Sequence, residues 1–179
     1  MTAIRILFVC QDNVTLSPMA AQIFIHLARK RQVFNKFVVD SAAVDSDAPE
    51  GVMMDSRVRE ILAKNGVDSG SHSSVQLDHS KLEKFDWIIC MDARSRRMCF
   101  DRLHSNAVYV TPKDVVRVFR TDPSSPMSLN GMLKPRVCCL LDFTPAPRDI
   151  INPAPSGDYR YAFNEIASGC RTIVSLVSL

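Results

Sequence analysis

The chain has little net charge, no long apolar run, no paired-cysteine motif and no internal repeat, and each absence removes a class. Its formal net charge is +3 over 179 residues, and the basic residues are scattered. That is too little to hold a nucleic-acid backbone or a membrane surface, so neither is expected as a partner. No stretch approaches the ~18 apolar residues of a spanning helix. Cysteines stand at 10, 90, 99, 138, 139 and 170, yet none forms a Cys-x-x-Cys pair. That disfavours zinc-ribbon and thioredoxin-like readings, and no metal site is expected. Met1 to Arg5 runs straight into a strand pattern without a signal-peptide layout, so free thiols in a reducing cytoplasm are the expectation.

What is present suits one globular domain: 46% hydrophobic and 23% charged residues leave enough apolar surface for a proper core. Ile4 to Val9 is a short apolar run of the kind buried on both faces of a parallel sheet. Ser17-Pro18 then reads as a helix start, with serine as N-cap and proline in the first turn. That helix should reach about Arg31, with Met19, Ala20, Ile23, Phe24 and Leu27 as its apolar stripe. A second strand begins at Phe37 and ends in Asp40-Ser41-Ala42-Ala43. A helix follows from Asp55 to Asn65, stopped by Gly66. Trp87 to Met91 reads as a third strand, followed by a polar helix from about Ala93 to Leu103. Val137 to Leu141 reads as a fourth strand, and Tyr161 to Leu176 as a closing amphipathic helix. Strands alternating with helices predict a three-layer α/β fold with a four-stranded parallel sheet flanked by helices. Asn106 to Pro135 fits least well. It holds a possible extra strand (107–110), an apolar-basic stretch (115–120) and a Pro/Ser/Gly-rich piece (122–131), and is expected to be an insertion in a single 1–179 domain.

The chemistry concentrates in Cys10-Gln11-Asp12-Asn13-Val14-Thr15-Leu16-Ser17, between the first strand and the first helix. In open α/β sheets, ligands bind beyond the carboxyl ends of the strands. A helix N-terminus there favours an anion and should lower the pKa of a cysteine beside it. A cysteine ending an apolar strand is also, by base rate, a small buried hydrophobe. The neighbouring residues tip the balance towards a nucleophile in an anion cradle.

Val9-Cys10-Gln11-Asp12-Asn13-Val14-Thr15-Leu16-Ser17-Pro18 resembles the V-C-x-x-N-x-x-R-S-P loop of the low-molecular-weight protein tyrosine phosphatases. Three further elements follow in the family's order. Asp40-Ser41-Ala42 is similar to its second-strand DSA element, His72 to its loop-supporting histidine, and Phe85 to Asp92 to its FDYILCMD element. The resemblance spans about Ile4 to Leu103 and Arg136 to Leu176. It implies a thiolate at Cys10 that attacks phosphorus, loop amides and one arginine that hold the phosphoryl oxygens, and an aspartate in a later D-P loop that protonates the leaving group. Asn13, Ser17, Ser41 and His72 keep the polar supports. The implied ligands are a phosphotyrosine protein or a small aryl phosphate or other oxyanion. Neither cofactor nor metal is implied.

Two positions depart from that pattern. Leu16 stands where the arginine should be, and a leucine offers no donor to an oxyanion. Asn152, in Ile151 to Gly157, stands in the general-acid position, and an amide supplies no proton at neutral pH. Asp12 adds a negative charge beside the intended dianion site. Loss of a transition-state donor costs ~10² to 10³ in rate, and loss of acid–base help ~10² to 10⁴. A catalytically impaired phosphatase-like protein is therefore the favoured expectation, with 106–135 as a candidate partner surface. The alternatives are two. One is an active aryl-phosphate phosphatase with relocated helpers, drawn from Asp142, Asp149, Asp158, Arg94, Arg96 or Arg97. The other is an arsenate reductase-like thiol enzyme, for which Cys90, Cys99, Cys138 and Cys139 are resolving candidates by type only; all but Cys99 lie in apolar settings that read as core.

Overall fold

The computed structural model describes residues 3–104, 106–125, 131 and 133–177. Strand β1 (Ile4–Cys10) leads through the loop into helix α1 (Leu16–Lys30), then β2 (Phe37–Ala43) and α2 (Ser56–Lys64). A short helix α3 (His79–Leu82) precedes β3 (Trp87–Cys90) and α4 (Ala93–Arg102). After these come β4 (Val108–Tyr109), α5 (Val115–Thr121), β5 (Arg136–Cys139) and the long α6 (Tyr159–Val177).

Among the described residues the strands form one parallel sheet in the order β2-β1-β3-β5-β4. The expected fold class stands, but the sheet has five strands rather than four. The fifth is Val108–Tyr109, paired with Arg136–Val137 at the sheet edge. The order reverses at β1: the chain steps to β2 on one side and returns to β3 on the other. Such a switch point opens a crevice at the carboxyl ends of the strands, and the loop after β1 lies there.

Period-two alternation builds two core layers. Ile4, Ile6, Phe8 and Cys10 face α1 and α6 with Trp87, Ile89 and Cys138. Leu7, Val9, Ile88, Cys90, Val137 and Cys139 face the other way, onto Leu82, Cys99 and Leu103. Because both faces are covered, the strand sequences read as continuous apolar runs.

The stretch that resisted the sequence reading is partly ordered into this core. Phe119 of α5 is buried, and its ring stands 5.1 Å from that of Trp87 and 5.6 Å from that of Phe143. Trp87 Nε1 donates to the Pro123 carbonyl (2.8 Å), and the buried guanidinium of Arg136 pairs with Asp122 (2.8 Å). Of the Pro/Ser/Gly-rich piece, 126–130 lie outside the described residues.

Candidate active site

Asn13 organises the loop. Its backbone is left-handed (φ 56°), a conformation asparagine tolerates better than most residues, and its side chain is fully buried. Nδ2 donates to Ser17 Oγ (2.9 Å) and to Ser41 Oγ (2.9 Å), while Oδ1 accepts from the Val75 amide (3.0 Å). His72 Nε2 meets the Asn13 carbonyl at 2.8 Å. The end of β2, the segment before α3 and the loop itself are thus tied together through one amide side chain. The expectation that Ser17 caps the helix is corrected. Thr15 occupies the N-cap position, without a side-chain hydrogen bond, and Ser17 lies inside the first turn. Its hydroxyl is used by Asn13 and sits 3.0 Å from Cys10 Sγ.

Cys10 is buried at the end of β1. The Asn13 amide donates to its sulfur (3.2 Å), and the thiol donates towards Asp12 Oδ1 (3.5 Å). The same Asp12 oxygen accepts from the Val14 amide (3.0 Å). A loop amide that an incoming anion would use is therefore already turned towards a carboxylate of the loop. Burial, with the Asp12 charge next in size, pushes the thiol up to about 11, although the Ser17 and Asn13 hydrogen bonds pull the other way. The expected lowering at the helix N-terminus is overturned: desolvation of the thiolate outweighs the donors.

Above the thiol opens a cavity of about 300 Å³ lined by Cys10, Gln11, Asp12, Thr15, Leu16, Asp45, Asp47, Ala48, Pro49, Asp92 and Asn152. Leu16 is buried, so its alkyl group forms wall where a guanidinium would have projected. Asn152 reaches the opposite rim because the Ile150 amide bonds to the Met91 carbonyl (2.9 Å), seating that segment beyond β3. The Asn152 Oδ1 accepts from the Ala154 amide (3.0 Å). The structure thus brings Cys10, Leu16 and Asn152 around one space, with Ser41 and His72 beneath it. Val14 does not line the cavity; its carbonyl accepts from the Asp55 amide (3.1 Å).

Sequence reading missed Asp45, Asp47 and Asp92. Their signal was positional: each follows a strand adjacent to, or paired with, β1, at the carboxyl end of the sheet. With Asp12 they place four carboxylates, and among the described residues no lysine or arginine, on the cavity wall. Among the described residues no group of three or more His, Cys, Asp or Glu side chains is placed to hold a metal ion.

The three candidate acids are occupied elsewhere. Asp142 accepts from the Cys139 amide (2.8 Å) and Asp149 from the Ala93 amide (2.8 Å), while Asp158 accepts from the Tyr161 amide (2.9 Å) at the start of α6. Burial holds Asp142 above the usual carboxylate range. Arg94 comes nearest to the loop, its Nη1 3.3 Å from Gln11 Oε1. Arg96 lies over the Tyr109 ring (4.8 Å to centroid) and donates towards Cys139 Sγ (3.8 Å). Cys99, expected to be the least core-like of the resolving candidates, is fully buried with Cys90 at 3.8 Å, on the sheet face opposite Cys10.

Comparison with known proteins agrees with this geometry. Residues 5–120 match the sequence model described as low molecular weight phosphotyrosine protein phosphatase. The pig protein of that name is 35% identical over 92 residues, covering 51% of this chain and 57% of the pig protein. The Bacillus subtilis low molecular weight protein-tyrosine-phosphatase YfkJ is 36% identical over 97 residues, covering 51% and 58%. The chain thus spans less than three fifths of these curated relatives. The crystal structure of YfkJ superposes with a TM-score of 0.77 at 24% identity, covering 98% of this chain and 94% of that one. A Drosophila arginine phosphatase superposes at 0.73 with 22% identity, covering 95% of each. With its Cys10 loop, its DSA strand end and its FDWIICMD strand on one parallel sheet, this chain belongs to the low molecular weight phosphotyrosine protein phosphatase family.

Proposed function

We propose that this chain is a catalytically impaired member of its family, a pseudophosphatase that keeps the cradle and has lost its chemistry. The observation that carries this reading is the wall above Cys10: Leu16, Asn152 and four aspartates line the space with the thiol, and among the described residues no lysine or arginine does. A phosphoryl dianion entering there meets like charge and no bidentate donor, so binding is weak. The thiol, held near 11, is almost wholly protonated at neutral pH and is a poor nucleophile. Cys10 keeps the nucleophile position and Asn152 the substituted acid position. Gln11 to Ser17 form the anion loop, with Ser41 and His72 as support. The ligands it faces are phosphotyrosine proteins or small aryl phosphates, and its place is the cytoplasm. Among the described residues no helix is long and apolar enough to cross a membrane.

The test is hydrolysis of an aryl phosphate from about pH 5 to 8 by wild type, Cys10→Ser and Leu16→Arg. A silent wild type, with activity appearing in Leu16→Arg, is the expected result. Turnover by wild type that Cys10→Ser abolishes would overturn it.

One observation favours a second reading, an active enzyme with a relocated cation: Arg94 already touches Gln11. That reading requires a phosphocysteine trapped at Cys10 and its loss in Arg94→Ala. Absence of the adduct removes it.

A further inference from the structure

Cations that the cradle lacks are gathered one helix away. Helix α4 reads Ala-Arg-Ser-Arg-Arg-Met-Cys-Phe-Asp-Arg, with arginines at 94, 96, 97 and 102. Arg102 is committed to the fold, donating to the Leu77 and Val44 carbonyls (3.0 and 2.8 Å). The others are not buried in this way. Between α4 and β4 lies a groove of about 360 Å³ lined by Ala93, Arg96, Arg97, Phe100 and Tyr109. That is the small end of the ligand-pocket range, about 300–1,000 Å³.

The groove pairs two aromatic faces with two guanidiniums. Tyr109 is 42% exposed, and the Arg96 guanidinium carbon stands 4.8 Å from its ring centroid. The ring contact and the Nη1 bond towards Cys139 Sγ (3.8 Å) hold the guanidinium, whose remaining donors are left for an oxyanion. Phe100 is half-buried, anchored on the second core layer. Arg97 is exposed and has no hydrogen-bond or ion-pair partner among the described residues, and Asp101, one turn on, does not reach it. The carboxylate that acts on Arg96 is Asp142, which is itself bonded to the Cys139 amide.

We infer that the groove between α4 and β4 docks a phosphotyrosine-bearing acidic peptide and does not hydrolyse it. An aryl ring packs against Phe100 and the exposed part of Tyr109, and the phosphoryl oxygens meet Arg97 and the Arg96 donors not turned to Cys139, the charge-assisted fork that favours phosphate. A plain carboxylate would leave the aromatic faces unused. Arg94 and Arg97 lie three residues apart on one exposed helix face, extending the positive stripe beyond the slot towards the cradle rim. A peptide with acidic residues beside the phosphotyrosine uses that extension; an isolated aryl phosphate does not. The inference goes beyond the pseudophosphatase reading, because it concerns a site that holds neither Cys10 nor Leu16.

The test uses a fluorescein-labelled peptide with phosphotyrosine flanked by glutamates, and its unphosphorylated twin. Anisotropy is expected to show at least about tenfold tighter binding of the phosphorylated form, and at least about tenfold weakening by Arg97→Glu, the size of one lost charge-assisted contact. Arg97 is exposed, so that variant keeps the fold; Tyr109→Ala should weaken binding through the aromatic face. Amide shifts in a ¹⁵N spectrum should centre on residues 93–109. Equal affinity for the two peptides, indifference to Arg97→Glu, or shifts confined to residues 10–17 would each overturn the proposal. None of these readouts depends on turnover, so its failure is distinct from failure of the pseudophosphatase reading.

Discussion

Beneath the cradle and above it, the same loop has been treated in opposite ways. Below, Asn13, Ser17, Ser41, His72 and the Val75 amide form a closed set of hydrogen bonds at 2.8–3.0 Å, with the Asn13 amide satisfied on both its ends. Above, Leu16, Asn152 and four aspartates line the space over Cys10. The lower set draws its partners from α1, β2 and the segment before α3. It shapes the loop without a ligand. The upper set bonds only within its own segments, Asp12 to the Val14 amide, Asp92 to the Ser95 amide and Asn152 to the Ala154 amide, and none of these bonds ties the loop to the sheet as the Asn13 set does. Loop geometry and loop chemistry are separable in this chain.

The largest expected effect breaks that comparison from above. Leu16→Arg with Asn152→Asp should raise aryl-phosphate hydrolysis by ~10² to 10⁴ over wild type, measured by released phenol, because the supports below already hold the loop. No gain would mean that the aspartate wall or the thiol, not the two missing groups, sets the limit.

Next comes the support itself. Asn13→Ala removes three side-chain hydrogen bonds at a buried position and puts alanine at φ 56°. It should cost about 3 kcal/mol, seen as a Tm about 10 °C lower by calorimetry. Ser41→Ala, which strips one acceptor from Asn13, should cost about 1 kcal/mol in the same scan.

The smallest effect lies at the boundary between the two regions. Asp12→Asn removes the carboxylate charge beside Cys10 and should lower the thiol pKa from its value of about 11, read from thiolate absorbance or the pH profile of iodoacetamide labelling. The raised thiol also fixes a sign in stability. Between the ordinary value of 9.0 and about 11 the unfolded thiol has lost its proton while the folded one keeps it, so folding weakens as pH rises through that window. Asp12→Asn should make that loss shallower.

Most of the fold was legible because both sheet faces are covered: β1, β2 and β3 read as apolar runs, and the amphipathic stripes of α1, α2 and α6 read at helical spacing. Asp55 was placed as the start of α2, and it does accept from the Arg57 amide there. What was not legible depends on long-range placement. The possible strand read at 107–110 is there as Val108–Tyr109, but that it joins the main sheet as a fifth strand follows only from its pairing with β5. Ser17 looks like a cap in sequence, yet its hydroxyl is claimed by Asn13, four residues away. Asp45 and Asp47 follow β2 and Asp92 follows β3, so they converge only once the sheet is assembled. The Cys10 pKa was misread because a helix N-terminus is visible in sequence and burial is not.

The packing of Trp87 has a practical consequence. It is the only tryptophan in the chain, and it sits at the amino end of β3, enclosed by Phe119, Phe143 and the Pro123 carbonyl. Intrinsic emission therefore watches the seam between the β4–α5 stretch and the sheet, at the pole opposite the cradle. Peeling of that stretch will redden the indole spectrum, whereas an event confined to the Cys10 loop will leave the fluorophore dark to it, giving a built-in reporter for one end of the molecule only.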